Sequence, residues 1–524
     1  MTLRELGGSR LAEAVQLAYA DKQTDYAMPP LVWVDEFGAP IGKVRDGDAV
    51  VFCCRRGERE IELTDAFTAA DFPHFERERL QGLDFVILTM YHEKYKDLPI
   101  AFAPSQVLHT LGETVSAAGK SQLHCAESEK YAHVTYFFNG GNNAAFPLED
   151  DVRIPSPKGV PFDTVPELSL PEVAAEVKRG LTKGYDFIVT NFANGDVIGH
   201  TANAEAKVLC AEAVSKQLGE VVACAKENGY VVAITADHGN LEILHTKDNT
   251  PHVAHTTSLV PFFLIDPFFD GAIPLSDGDL KDVAPTVLHA LGVPQPADMG
   301  GRSLAGTHAF GANRKALLVI LDGWGLGAND DTNPIYIANT PAYDALVAAY
   351  PPSKLSASGE AVGLQAGKAG NSEAGHTNLG AGRIIMQDDV RLDAAMKDGS
   401  FAKNPVFLDV IARTKARGAH LHLLALLTKK SSHGSIDYPL ALLQMAKEAG
   451  LYDVFIHILF DGRSTEPGSA PALLAELQAQ MDEMGVGCIV DGVGRGIALD
   501  RDGNYAKIQK AYEAMVLGRG REYC

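Results

Sequence analysis

The stretch Ala316-Leu317-Leu318-Val319-Ile320-Leu321-Asp322 reads as a fully buried strand that ends on a carboxylate. Six apolar residues with no polar alternation need cover on both faces, as in a parallel sheet flanked by helices. Seven more runs read as buried strands: residues 49–53, 84–89, 186–191, 230–235, 260–265, 420–426 and 453–459. Amphipathic stretches lie between them, with helices expected over 204–228, 440–448 and 470–484. On the first of these helices Val208, Val214, Leu218, Val221 and Val222 fall near one face. Short apolar runs alternating with amphipathic ones predict an α/β protein with largely parallel sheets.

Open α/β sheets carry their sites beyond the carboxyl ends of the strands. Asp322 ends the strand 316–321, Asp196 follows 186–191 by a short turn, and Asp237-His238 closes 230–235. Asp196 and His200 stand four residues apart, on one helical face or across one tight turn. His255 comes shortly before the strand 260–265. Singly, an Asp after a strand is ordinarily a helix cap or turn former. Jointly, Asp and His from several strand ends suit a borderline divalent ion such as Mn²⁺, Zn²⁺ or Co²⁺ better than an all-oxygen calcium cage.

One further stretch, Gly370-Asn371-Ser372-Glu373-Ala374-Gly375-His376, offers a hydroxyl between glycines. A serine hydroxyl is a weak nucleophile at neutral pH unless a base or a metal removes its proton. His376 is a candidate base, although i to i+4 is also the ordinary spacing of a helix opening. Counting Ser372, seven candidate ligands suffice for two ions, and a metal pair clamps the attacking and leaving oxygens of a phosphoryl transfer. Phosphoryl or sulfuryl transfer through Ser372 is the reaction class implied.

The chain has 524 residues, too many for one core, and its 46% hydrophobic and 22% charged residues are ordinary globular values. A net charge of −21 argues against nucleic acid or an anionic membrane as partner, so a phosphorylated substrate needs a local basic pocket. The seven cysteines are odd in number and lack zinc-type spacing, which fits a reduced, cytoplasmic setting. No signal-like or membrane-length apolar run occurs, and a soluble, unprocessed protein is expected. Three prolines within 154–161 read as an interdomain hinge, and the small-residue stretch 305–313 reads as a linker.

Three look-alikes fail. Gly323 to Ala328 mimics a dinucleotide fingerprint, but Asn329, Asp330 and Asp331 follow where a helix should open. Gly363 to Lys368 lacks Walker spacing, and Ser372 is not in a nucleophile elbow.

Together Asp322-Gly323-Trp324-Gly325, Gly370 to His376, Asn194-Gly195-Asp196-Val197-Ile198-Gly199-His200-Thr201, Thr235-Ala236-Asp237-His238-Gly239-Asn240 and Ala254-His255-Thr256-Thr257 resemble the signature segments of cofactor-independent phosphoglycerate mutases, of the alkaline phosphatase superfamily. Their order resembles a circular permutant, since in that family the Asp-Gly-Trp-Gly strand comes first; the usual ends are then joined through 305–313. The resemblance implies two α/β domains: a metal-binding, phosphatase-like one over 165–388, and a discontinuous substrate-binding phosphotransferase one over 1–164 and 389–524. It implies one metal on Asp196, His200 and His255 and another on Asp322, Ser372, Asp237 and His238. The ions would be Mn²⁺, with Zn²⁺, Co²⁺ or Mg²⁺ as alternatives, and no bisphosphoglycerate is needed. Ser372 would accept the phosphoryl group of phosphoglycerate and return it to the other hydroxyl of the glycerate, in a monomer. The anion pocket would comprise Arg56, Arg59, Lys130, His433, Arg463, Arg495 and Arg501, guanidinium forks suiting carboxylate and phosphate edges, with Asp461 a further substrate-binding residue.

The chain departs from the family pattern twice. Ser464 stands where Asp usually follows Asp-Gly-Arg, and Thr428-Lys429-Lys430-Ser431 replaces Ser-Asp-Gly-Gly before His433. Both changes lie in the phosphotransferase half. They leave two alternatives: a metal-dependent phosphomonoesterase whose phosphoserine is released to water, and a non-catalytic phospho-ligand binder.

Overall fold

The computed structural model describes residues 3–55, 59–104, 107–429, 431 and 433–524, with Leu3 described by its backbone alone. Two compact units make up the chain, one of Ser105–Val390 and the other of Met1–Pro104 with Arg391–Cys524. Each is built on an eight-stranded sheet with helices.

In the discontinuous unit the strands are β1 (Leu31–Trp33), β2 (Ala49–Phe52), β3 (Asp84–Thr89), β4 (Ile100–Phe102), β13 (Leu421–Leu427), β14 (Val454–Phe460), β15 (Cys488–Gly494) and β16 (Arg521–Tyr523). Their order is β16-β1-β15-β14-β13-β2-β3-β4, and every pairing is parallel except β1 with β15. Strand β13 shows why its run carries no polar alternation. Leu421, Leu423, Ala425 and Leu427 enter the core on one face, and Leu424 and Leu426 enter the core on the other.

The continuous unit contains β5 (Gln122–Glu127), β6 (Glu149–Ile154), β7 (Phe187–Phe192), β8 (Tyr230–Thr235), β9 (Val260–Ile265), β10 (Gly278–Asp279), β11 (Lys315–Leu321) and β12 (Ser353–Ser356). The order is β10-β12-β9-β8-β11-β7-β5-β6, which puts β11 near the middle, parallel to both β7 and β8. Only β9 breaks the parallel pattern, running antiparallel to both its neighbours.

Residues 105–164 fall in this unit, whereas the sequence expectation assigned them to the other. The reason is β5, which pairs in parallel with β7 from Gln122↔Phe187 to Cys125↔Thr190 and carries β6 on its far side. A search for apolar runs passes over β5 because Gln122, His124 and Glu127 interrupt it, yet the whole strand is buried. Its polar atoms find partners inside. Gln122 Nε2 donates to Gly112 O at 2.9 Å, His124 Nδ1 to Val134 O at 2.7 Å, and Glu127 accepts from Ser156 Oγ and Ser169 N, each at 3.0 Å. The proline-rich stretch 154–161 is therefore not an interdomain hinge; it runs from β6 towards the helix Leu170–Lys183 within one unit.

The 24-residue helix Ala204–Glu227 starts on Asn203, whose side chain accepts from Ala206 N at 3.1 Å. It buries Val214, Leu218, Val221 and Val222, as its periodicity predicts, while Val208 is half-buried against the same core. Lys207 lies on the same buried side, with Nζ donating to His252 O at 2.6 Å. Burial lowers its pKa to about 8, against the opposing pull of the Glu242 carboxylate. The unfolded chain thus binds more protons between about pH 8 and the ordinary lysine value near 10.4, and stability contributed by this group rises with pH across that window. Lys207→Met is expected to be stabilised relative to the parent at about pH 7 and to lose that advantage by about pH 10, as read by urea unfolding. A difference between the two proteins that does not change with pH would show that Lys207 is not the cause.

Among the described residues no helix is long and apolar enough to cross a membrane.

Candidate metal and nucleophile centre

Strands β5, β7, β11 and β8 are successive parallel neighbours, so their carboxyl ends share one edge of the sheet. Lys130, Asp196, Asp322 and Asp237-His238 follow these four ends. Because β9 is antiparallel to β8, its amino end lies at that same edge. This is why His255, which precedes its strand, joins residues that follow theirs. Two glycines let the turns close up. A Cβ on Gly195 would stand 2.4 Å from Asp322 O, and one on Gly323, at φ +74°, would stand 2.6 Å from Asp196 N.

Ser372 is the first residue of the helix Ser372–Ala381, capped by Asn371, whose side chain accepts from Ala374 N at 2.8 Å. Its oxygen therefore sits at the positive end of a helix. Lys130 Nζ donates to Ser372 Oγ at 2.7 Å, and the same oxygen lies 2.9 Å from His238 Nε2 and 3.2 Å from Asp322 Oδ1, either of which can take its one proton. His376, the candidate base of the sequence reading, does not face this hydroxyl. Its Nδ1 donates to the Ser372 carbonyl at 2.9 Å, and its Nε2 faces Asn191 Nδ2 at 2.9 Å.

Three imidazoles turn the same way. The Nδ1 atoms of His200, His255 and His238 face the carbonyls of Val253 at 2.9 Å, Gly370 at 2.8 Å and Gly239 at 3.2 Å. A carbonyl only accepts, so each Nδ1 carries the hydrogen and each neutral ring presents its Nε2 lone pair inward. There, His200 Nε2 and His255 Nε2 stand 3.0 Å apart, at 3.1 and 2.9 Å from Asp196 Oδ1. Lone pairs and a carboxylate at such distances repel unless positive charge lies among them. Asp196 supplies the pull that raises both pKa values, for His255 against the opposing effect of burial. This donor set fits a divalent cation, and the Nδ1–carbonyl bonds are the ring-orienting contacts that metal-bound histidines use.

The deeper group repeats the argument. Asp196, His238 and Asp322 converge, as do Asp237, Asp322 and His376. Asp237 Oδ2 is buried without a hydrogen bond among the described residues, the ring nitrogens of His376 and His238 standing 3.3 and 3.4 Å away. An orphaned carboxylate oxygen at such a point fits a cation. The positive charge that meets these carboxylates is the Lys130 ammonium, whose Nζ is 2.7 Å from Asp196 Oδ2 and 2.8 Å from Asp322 Oδ1. Burial opposes its charge, but the carboxylates of Asp322, Asp196 and Asp237 outweigh that and hold its pKa above the ordinary lysine value. Burial also opposes ionisation of Asp237, yet His238, His376 and Lys130 keep its carboxyl well below the usual range. Burial, with the charge of Asp237, pushes Asp322 up. The centre is closed at Asp237 and Asp322 and opens at His200, whose side chain is 46% exposed.

Sequence reading placed Lys130 in the anion pocket of the other domain; the structure puts it inside the carboxylate cluster. It also missed Asn191 and Asn240, which donate to Asp322 Oδ2 at 2.6 Å and Asp196 Oδ1 at 3.1 Å. Asn191 had a signal, a buried amide beside Thr190 near the end of a strand whose other residues are apolar.

In the discontinuous unit β2, β13, β14 and β15 are adjacent and parallel, and their carboxyl ends lead to Arg55, His433, Asp461 with Arg463, and Arg495. Arg495 is fully buried and ion-paired with Asp461 through Nη1, while its Nε and Nη2 and Asp461 Oδ2 have no hydrogen bond among the described residues. The loops after β2 and β13 meet where the His433 carbonyl accepts from Arg55 N at 2.9 Å. Arg59 is buried, donating to Leu499 O at 3.0 Å, whereas Arg463 and Arg501 are exposed. Arg56 and Lys430 lie outside the described residues.

Comparison with known proteins gives two family matches: the Metalloenzyme superfamily over residues 15–295, and the BPG-independent PGAM N-terminus over residues 392–523. The 2,3-bisphosphoglycerate-independent phosphoglycerate mutase of Salinibacter ruber is 47% identical over 296 residues, 56% of each chain. That of Moorella thermoacetica is 45% identical over 295 residues, again 56% of each. The chain thus spans about half the length of the curated relatives it matches. A solved structure of Leishmania mexicana phosphoglycerate mutase at low cobalt concentration aligns with 29% identity and TM-score 0.40, over 52% of this chain and 53% of that one.

Proposed function

This chain belongs to the Metalloenzyme superfamily, and from that premise we propose that it is an isomerase interconverting 3-phosphoglycerate and 2-phosphoglycerate through a phosphoserine at Ser372. The observation that carries the proposal is the placement of Ser372 Oγ at a helix N-terminus, 2.7 Å from Lys130 Nζ and 2.9 Å from His238 Nε2. Asp196, His200 and His255 would hold one divalent cation, and Asp237, His238, Asp322 and Ser372 a second. When bound, such cations, Mn²⁺ in our reading, supply Lewis acidity that favours the serine oxyanion and screens the phosphoryl charge. The chain's own groups act in the same direction. Lys130 donates to the hydroxyl oxygen, and the helix N-terminus favours negative charge there.

Substrate contacts are assigned to the discontinuous unit, to His433, Asp461, Arg463, Arg495, Arg501, Arg56 and Arg59. The donors of Arg495 and the oxygen of Asp461 that have no partner among the described residues support this, since buried polar atoms of that kind suit a polar ligand. We read the protein as a cytoplasmic monomer acting on a small phosphorylated acid; its cysteines, odd in number at seven, support a reducing compartment. The order of the family matches, with the one described as an N-terminus trailing at 392–523, supports a circularly permuted chain.

The test is turnover of 3-phosphoglycerate by chelator-treated protein, before and after Mn²⁺ is added, with bisphosphoglycerate absent throughout. Activity is expected only with the cation, and the product is expected to be 2-phosphoglycerate. Release of free phosphate in its place would establish the phosphomonoesterase reading, which Ser464 in an exposed bend after Asp461 favours. No turnover with any divalent cation would defeat both.

A further inference from the structure

Glu242 belongs to neither ligand group, yet it is 1% exposed and touches three of the segments that carry them. Its Oε2 accepts from Asn240 N at 2.8 Å, two residues beyond His238, and from Gly325 N at 3.2 Å, three residues beyond Asp322. Its Oε1 accepts from the hydroxyl of Thr256, the residue after His255. Backbone bonds join the same segments: Asn240 N and Leu241 N donate to Gly323 O at 3.0 and 2.9 Å, and Thr256 N donates to Gly239 O at 3.0 Å. The fit is tight, since a Cβ on Gly325 would stand 2.3 Å from Glu242 Cδ. A carboxylate can accept from three donors on separate loops at once, which no apolar side chain can do.

We propose that Glu242 is a positioning residue whose carboxylate locks the segments carrying Asp237-His238, Asp322 and His255 into one register, so that the ligands are arranged before any cation arrives. The locking is a property of the metal-free chain; only its effect on cation affinity rests on the metal reading above. Pre-arrangement matters because ligands that must first be gathered bind a cation less tightly.

The test compares Glu242→Ala and Glu242→Gln with the parent. In chelated protein, amide hydrogen exchange of E242A is expected to rise about tenfold or more across 238–242, 255–257 and 322–326 together, with the strand 187–192 unchanged. Calorimetric titration with Mn²⁺ alone is expected to show affinity falling about 10–100-fold. E242Q is expected to stay close to the parent in both, because an amide oxygen accepts from the two backbone N–H groups while its NH₂ donates to Thr256 Oγ1. Unchanged exchange in E242A, exchange raised in one segment alone, or E242Q as impaired as E242A would each overturn the proposal. If the parent binds no Mn²⁺, the metal reading falls while the exchange data still decide the role of Glu242. Should E242A not fold, Thr256→Val cuts one tie of the three and is expected to raise exchange at 255–257; no rise there overturns the proposal.

Discussion

On the proposed function, Ser372→Ala is expected to lower turnover of 3-phosphoglycerate by at least about 10³-fold, because it removes the atom that would carry the phosphoryl group. The loss should fall on kcat, since the groups assigned to substrate binding are untouched. Folding should survive. Asn371 still caps the helix, and Lys130 keeps its bonds to Asp196 and Asp322 at 2.7 and 2.8 Å. The measurement is initial rate with Mn²⁺ present, together with mass spectrometry of protein quenched during turnover. A phosphorylated Ser372 peptide is expected in the parent and absent from the variant. Turnover in the variant equal to the parent's would rule out the phosphoserine route.

Lys130→Met should have the largest effect on the metal-free protein. Asp196 and Asp322 lie on the Lys130 ammonium at hydrogen-bond distance, and Asp237 adds its charge from nearby. Removing one member of a buried ion cluster leaves the others uncompensated, at a cost on the order of 3–5 kcal/mol. Divalent cations draw on the same carboxylate oxygens. The variant should therefore bind Mn²⁺ more tightly, by about tenfold or more, and recover stability as it does. Thermal unfolding with chelator and with excess Mn²⁺ reads both effects. A variant that matches the parent's melting temperature in chelator would mean that the carboxylates are neutralised by some other means.

Both predictions depend on a lysine whose neighbours are far away in sequence. Lys130 meets Asp196 and Asp322 because β5 lies beside β7 and β7 beside β11. Nothing in the local sequence around Lys130 specifies that order. Glu242 is a similar case, since its three donors come together only when three turns close over one edge.

The eight apolar runs were legible as strands because residues buried on both faces leave a nearly continuous apolar pattern, and all eight are strands in the structure. The helix Ala204–Glu227 was legible from its spacing and from the capping Asn203. Strand β15 was not, because Gly492 and Gly494 dilute its apolar signal, and β5 was not, because its polar residues are satisfied by partners that only the fold provides.

By itself the amino-acid sequence determined which segments had to be buried and which carboxylates and imidazoles stood at their ends, since burial periodicity and residue chemistry are local properties. Tertiary structure alone decided which of those ends meet, that β9 runs backwards and so delivers His255, that residues 105–164 join the continuous unit, and that an ammonium rather than a second imidazole faces the Ser372 oxygen beside His238. Strand order and direction arise from pairings between segments distant in the chain, and those pairings are set by the packing of whole sheets.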